Sequence, residues 1–350
     1  MKKPSPDPRL SSQSRAATPI AFIAAILAGY RRYGADPANA LARAGISPAL
    51  LERPEARVTA SQMEIMSGTA MQELDDEALG WFSRRLPWGS YGMLCRASIT
   101  SPDLGVALKR WCRHHRLLTD DIALSLEVNG SEARFTLSPR CELGELREFC
   151  LVTLLRYVLG YACWAIDSRI PLTESRFPFP APPHADAYSL MFPGPVRFDA
   201  EFAGLSFDAR YLELPIRRDE AALQTMLQRA LPLTVLQYRR DRLLVEGVRR
   251  FLRDPASGPA TAETVAEHLH VSVRTLHRQL HEEGSSLQRL KDDARRDRAI
   301  ELLNRSSRSI KQISALVGFG NEKSFSRAFR TWTGVPPQTF REKGLGDKRA

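Results

Sequence analysis

The stretch TAETVAEHLHVSVRTLHRQL, Thr261 to Leu280, is followed by SIKQISALVGFGNEKSFSRAF, Ser309 to Phe329. Each opens with a residue suited to cap a helix, and each sets a small residue, Ala266 or Ser314, where two helices must cross closely. A turn comes next, then a helix with one apolar face and one basic, polar face. This is a helix-turn-helix pattern, written twice. Two such units on one chain can enter successive major grooves on one side of a duplex, so double-stranded DNA is the expected partner.

In the first unit Thr261 caps, and Val265, Ala266 and Leu269 form the inner face. His270 stands in the turn, where glycine is usual because the chain needs positive φ; histidine enters that region at a smaller penalty than most residues. Val273, Leu276 and Leu280 point inward, which turns Arg274, His277 and Arg278 outward. Arginine reads guanine bidentately, and histidine can donate to or accept from a base edge. In the second unit Ile310, Ile313 and Leu316 are expected to pack, Gly318 makes the turn, and Asn321 caps a helix anchored by Phe325 and Phe329. Glu322, Lys323, Ser326 and Arg327 then face outward. A glutamate there can accept from cytosine N4 or exclude wrong sequences. Between the units, Leu287–Asn304 reads as one helix of about 18 residues, roughly 27 Å long. Such a spacer can hold two recognition helices about 34 Å apart, one turn of DNA.

Charge follows the motifs. The 350 residues carry a formal net charge of +10, and from Arg239 onward 23 Lys and Arg face 14 Asp and Glu, a net of +9. Basic excess in the segment with the paired helices suits phosphate binding by counterion release. The five cysteines, Cys95, Cys112, Cys141, Cys150 and Cys163, form no CxxC pair, and an odd count argues against a disulfide framework and for a reducing cytoplasm. The opening MKK and the apolar run from Ile20 to Gly29 lack a signal-peptide cleavage pattern. They read instead as an amphipathic helix capped by Thr18 and opened by Pro19. No segment is expected to approach the roughly 20 apolar residues that span a bilayer, so no membrane association is predicted.

The expected class is multidomain: an α+β N-terminal domain and an all-α C-terminal domain. Residues 1–17 read as a disordered tail, 18–220 as the α+β domain, 221–238 as a linker helix interrupted by Pro232, 239–343 as the tandem helix-turn-helix domain and 344–350 as a tail. Within the first domain Gly45 closes a helix begun near Asp36-Pro37, and Thr59 with Gln62 forms a capping box. Leu104–Leu118 is helical, Ile122–Val128 alternates as a strand, Asn129-Gly130 turns it, and Arg134–Leu137 returns. Glu145–Ile166 is a long apolar helix, with short strands near Val196–Phe198 and Leu205–Phe207.

The segment from Arg239 to Lys343 resembles the DNA-binding domain of the AraC/XylS family of bacterial transcription regulators. VSVRTLHRQL, GFGNEKSFSRAFRTWTGVPPQTFR and the helix between them carry the resemblance. It implies that Arg274, His277 and Arg278 occupy base-facing positions of the first recognition helix, and Glu322, Lys323, Ser326 and Arg327 those of the second. His270 and Ser314 depart from the family's usual turn glycine and small alanine. Residues from Pro19 to Arg218 are similar to the arabinose-binding-like domain of the branch that includes ornithine-utilisation regulators. DPANALARAGISPALLERPEARV, the run from Ala78 to Leu118, and FPAPPHADAY with PVRFDA carry that likeness. It implies a small-molecule effector and a homodimer; a transcription regulator of this build is expected to contact RNA polymerase as well.

No catalytic residue, cofactor or metal is expected. Cys112, His114 and His115 on one helix point in different directions, and no G-x-S-x-G elbow or Gly-rich phosphate loop occurs. Trp88, Tyr91, Trp111 and Trp164 can line an effector pocket, and Arg110, Arg113 or His114 can meet a carboxylate. Core aromatics and solvated arginines explain the same residues equally well, so no effector contact is assigned. An alkyl-transfer enzyme with a DNA-targeting domain would need an activated cysteine. An architectural DNA binder would need no effector.

Overall fold

Thr18 spends its backbone on a strand rather than a cap. In the computed structural model, which describes residues 16–228, 243–254, 258–282, 285–306 and 308–346, β1 (Ala16–Pro19) pairs antiparallel with β2 (Arg57–Thr59) and sets Thr18 opposite Val58. Helix α1 (Ile20–Arg32) therefore begins one residue later than expected, after Pro19. It is buried on most sides rather than amphipathic, with Phe22, Ile23, Ala25, Ile26 and Tyr30 all in the core. Ala16 and Ala17, expected in the tail, belong to β1; residues 1–15 of that tail lie outside the described residues.

Chain contacts divide the protein into two units, Met1–Asp241 and Arg242–Ala350. In the first, α2 (Ala38–Ala44) ends at Gly45 in the left-handed region, φ 62°, before the short α3 (Pro48–Leu51). The Thr59–Gln62 capping box starts α4 (Ala60–Glu73), with reciprocal bonds of 3.0 and 3.1 Å. α5 (Ser90–Ile99) and α6 (Leu104–Leu118) follow, the latter capped by Asp103 at 2.8 Å from the Val106 amide.

The alternation from Ile122 gives β3 (Ile122–Asn129), and Gly130 at φ 61° turns it into β4 (Glu132–Pro139). α7 (Arg147–Ala165), β5 (Leu172–Arg176), α8 (Tyr188–Met191), β6 (Val196–Arg197), β7 (Ala203–Asp208) and α9 (Glu220–Leu227) complete the unit. The sheet runs β3-β4-β7-β5-β6, antiparallel except for the β5–β6 pair. Gly144–Ala165 is long and apolar enough to cross a membrane, which corrects the expectation that no segment approaches that size. Yet 83% of its apolar window is buried within the protein, as a core helix requires.

The regular elements described in the second unit are all helices: α10 (Leu243–Arg253), α11 (Ala262–His268), α12 (Val273–Glu282), α13 (Leu287–Arg305), α14 (Ile310–Leu316), α15 (Glu322–Thr333) and α16 (Pro337–Gly346). Of the expected linker helix, α9 covers the start; residues 229–238, with Pro232, lie outside the described residues, as do 347–350.

Candidate functional site

Two apolar clusters organise the second unit, and α13 serves both. Val245, Val248, Phe251, Val265, Ala266, Leu276 and Leu280 close on Leu287 and Leu290 at its start. Ile313, Val317, Phe325 and Phe329 close on Ala299, Leu302 and Leu303 nearer its end. Between these ends its surface is charged, with ion pairs Arg296–Asp293 at 3.1 Å and Arg298–Glu301 at 2.7 Å. The first pair is half-buried and the second exposed, and an exposed pair stabilises little. Arg295 lies over the Phe319 ring, 5.5 Å from its centre, and ties α13 to the second turn.

The two turns are built alike. Thr261 and Ser309 each form a capping box, at the head of α11 and α14. The amide of Val271 donates to Ala266 O at 2.9 Å, and that of Phe319 donates to Ser314 O at 2.9 Å. His270 (φ 54°) and Gly318 (φ 82°) hold the left-handed position that this closure requires. Ser272 Oγ then accepts from the Thr275 amide and Asn321 Oδ1 from that of Ser324, which starts the second helix of each pair. Ala266 and Ser314 are 2% and 1% exposed, where nothing larger than a small side chain lets the helices approach.

Leu316 departs from expectation. It is 56% exposed, and Val317 takes the inner position. On a helix turning 100° per residue, the stripe through Ile310, Ile313, Ser314 and Val317 leaves Leu316 about 110° from its centre.

On α12, Arg274, His277 and Arg278 are exposed; on α15, Glu322, Lys323 and Arg327 are exposed and Ser326 is half-buried. The two helices correspond at a constant offset of 49 positions: Leu276 with Phe325, Leu280 with Phe329, Arg274 with Lys323, His277 with Ser326, Arg278 with Arg327. Carried one turn further, the same offset pairs exposed His281 with exposed Arg330. Reading each helix separately had missed both, although the basic i, i+4, i+7 spacing of Lys323, Arg327 and Arg330 marks the face.

In the first unit a cavity of about 460 Å³ is lined by residues of α2, α4, α5, α7 and α9, and by the loop before α5. Of the four aromatic residues considered for an effector pocket, Trp88 and Tyr91 line it. Trp111 is buried against Tyr161 and reaches only a neighbouring void, and Trp164 packs beneath Arg218. Arg110 bonds Thr100, and neither it, Arg113 nor His114 lines the cavity. Burial pushes the Cys112 thiol up to about 12 and also raises Cys95, Cys141 and Cys150, the reverse of an activated thiolate. Burial lowers His115 to about 4.

Comparison with known proteins matches two family models. The arabinose-binding domain of AraC transcription regulators, N-terminal, aligns with residues 34–216, and a helix-turn-helix domain with residues 265–343. Among relatives, the chain is similar to the ornithine utilization regulator of Pseudomonas aeruginosa, with 28% identity over 93% of this chain and 96% of that protein. It is similar also to the transcriptional regulator VirS of Mycobacterium tuberculosis, with 27% identity over 90% and 93% respectively. Solved structures with likeness include the regulator CdpR from P. aeruginosa, at 21% identity, covering 87% of this chain and 96% of that one, TM-score 0.33. The DNA-binding domain of AdpA with target DNA matches at 27% identity, covering 30% of this chain and 96% of that one, TM-score 0.27.

Proposed function

The chain belongs to the AraC family of transcription regulators, and from that premise we propose how its parts divide the work. It is a sequence-specific DNA-binding regulator controlled by a small molecule bound in its N-terminal domain, and it is not an enzyme. In our reading Arg274, His277 and Arg278 face bases in one major groove. Glu322, Lys323, Ser326 and Arg327 face bases in the next, and His281 and Arg330 lie towards the flanking phosphates. The observation that supports this is the doubled turn: matching closing bonds at Val271 and Phe319 each lead into a helix with the same spacing of buried anchors, Leu276 and Leu280 or Phe325 and Phe329, and α13 packs against both units.

The functional divisions at residues 18–220, 221–238 and 239–343 belong to the same reading. So do a homodimer, contact with RNA polymerase and residence in the cytoplasm. Because one relative regulates ornithine utilization, amino acids with a side-chain amine head the effectors to test. Selection of binding sites from randomised duplexes, followed by hydroxyl-radical footprinting with the full chain, tests the two-groove arrangement. Two protected patches on one face, about 10 base pairs apart, are expected. A single patch refutes it.

A further inference from the structure

Three consecutive acids, Asp75, Asp76 and Glu77, pin the loop that leads into α5. Asp75 accepts from the Trp88 amide at 3.0 Å. Asp76, fully buried, accepts from the amides of Ala78, Gly80 and Leu86 and from the Tyr33 hydroxyl, at 2.7–2.9 Å. Its acceptor sites are thereby filled. Among the described residues Glu77 accepts from the amides of Gly89 and Tyr91, at 2.7 and 2.6 Å, and it lines the 460 Å³ cavity. A carboxylate has about four acceptor sites, so roughly two remain for a ligand. Burial, and then the charges of Asp76 and Asp75, raise its pKa, so its ionised form gains from a cation in contact.

The rest of the wall suits such a cation. Trp88, Tyr91 and Tyr157 line the same space, the two tyrosine rings 5.2 Å apart, and aromatic rings attract ammonium groups. Ile65 and Met71 supply apolar surface for an aliphatic stem, while Glu64 and Arg43 complete the charged lining. The volume lies within the range of small-molecule sites.

We infer that this cavity binds a small aliphatic ligand through a primary ammonium group, held by Glu77 among the rings of Trp88, Tyr91 and Tyr157. The inference rests on the reading of the N-terminal unit as effector-binding and gives that effector a chemical class and a place. Leu227, the last residue of α9, and Gln228 also line the cavity. The bare Gly92 admits Leu227, whose side chain would stand 3.2 Å from any β-carbon there. The ligand therefore touches the last described helix of the N-terminal unit.

Calorimetric titration of the full chain with ornithine, 1,4-diaminobutane and glutarate tests this, with DNA affinity measured in parallel. The two amines should bind and glutarate should not. Glu77→Gln should weaken amine binding about tenfold or more, the loss of one charged hydrogen-bond partner. Because Glu77 also pins the loop, Trp88→Ala is the second variant: its side chain is half-exposed, its loop bond is made by the backbone, and it should weaken both amines. Arg43→Ala should weaken ornithine and leave 1,4-diaminobutane unchanged, since of the two amines only ornithine offers a carboxylate. Glutarate binding as tightly as the amines, amine binding unchanged in both Glu77→Gln and Trp88→Ala, or no amine binding at millimolar concentration would each overturn the inference. If specific DNA binding persists in those cases, the regulator reading stands; its loss in the unmodified chain strikes that reading instead.

Discussion

Arg278 and Arg327 hold the same place on two helices, exposed and one turn beyond Arg274 and Lys323. Arg327→Ala should cost about 1–3 kcal/mol at a selected site and relax base preference at one position. Fluorescence anisotropy on selected and random duplexes checks this; equal losses on both would mark a phosphate contact. His115 makes a different kind of prediction. The residue is 2% exposed, its Nδ1 has no hydrogen-bond partner among the described residues, and burial holds its folded pKa near 4, below the ordinary 6.5. Below pH 6.5 the unfolded chain takes up a proton that the folded chain refuses, so stability falls with pH until about pH 4 and then levels. The full effect is about 3 kcal/mol. His115→Leu should flatten the stability of the first unit over that interval relative to the unmodified chain, as read by chemical denaturation at successive pH values.

At the scale of elements, the two turns differ in two respects: the second uses glycine where the first uses histidine, and it runs one residue longer before its helix cap, Gly318 to Asn321 against His270 to Ser272. A β-branched residue tolerates positive φ poorly, so His270→Val should destabilise the first helix-turn-helix by about 1–2 kcal/mol. Hydrogen exchange should rise in α11 and α12 and stay unchanged in α14 and α15. Elements whose signals are local were legible in the sequence: the Thr59 capping box, the Asn129-Gly130 hairpin, the ends of α6 and the cap at Asn321. β1, β2 and β5 were not, because a three- to five-residue strand is defined by a partner distant in the chain; β5 pairs with β7 some 30 positions later. Leu316 was misplaced because the helix ends there and the inward stripe runs on to Val317. The cavity was half visible. Trp88 and Tyr91 stand out by type, but Glu77 gains meaning only beside residues from Arg43 to Gln228 that folding gathers around it.

For the molecule as a whole, the charge of the final third sets the response to salt. Each phosphate contact contributes about −0.9 to the slope of log affinity against log salt. Arg330→Ala should make that slope shallower by about one unit and weaken selected and random DNA alike, unlike Arg327→Ala. Titrations at several ionic strengths distinguish the two. A final consequence belongs to α13, whose opposite ends are embedded in separate apolar clusters. Insertion of a single residue at its water-facing midpoint would leave both clusters their own side chains yet rotate one relative to the other by about 100°. The readers would then be out of phase with the winding of the duplex, each competent and neither able to engage alongside its twin. Drift in base preference is open to either reader alone, whereas the rod between them acts as a gear, whose length can change only by about whole turns without setting one reader askew of the other.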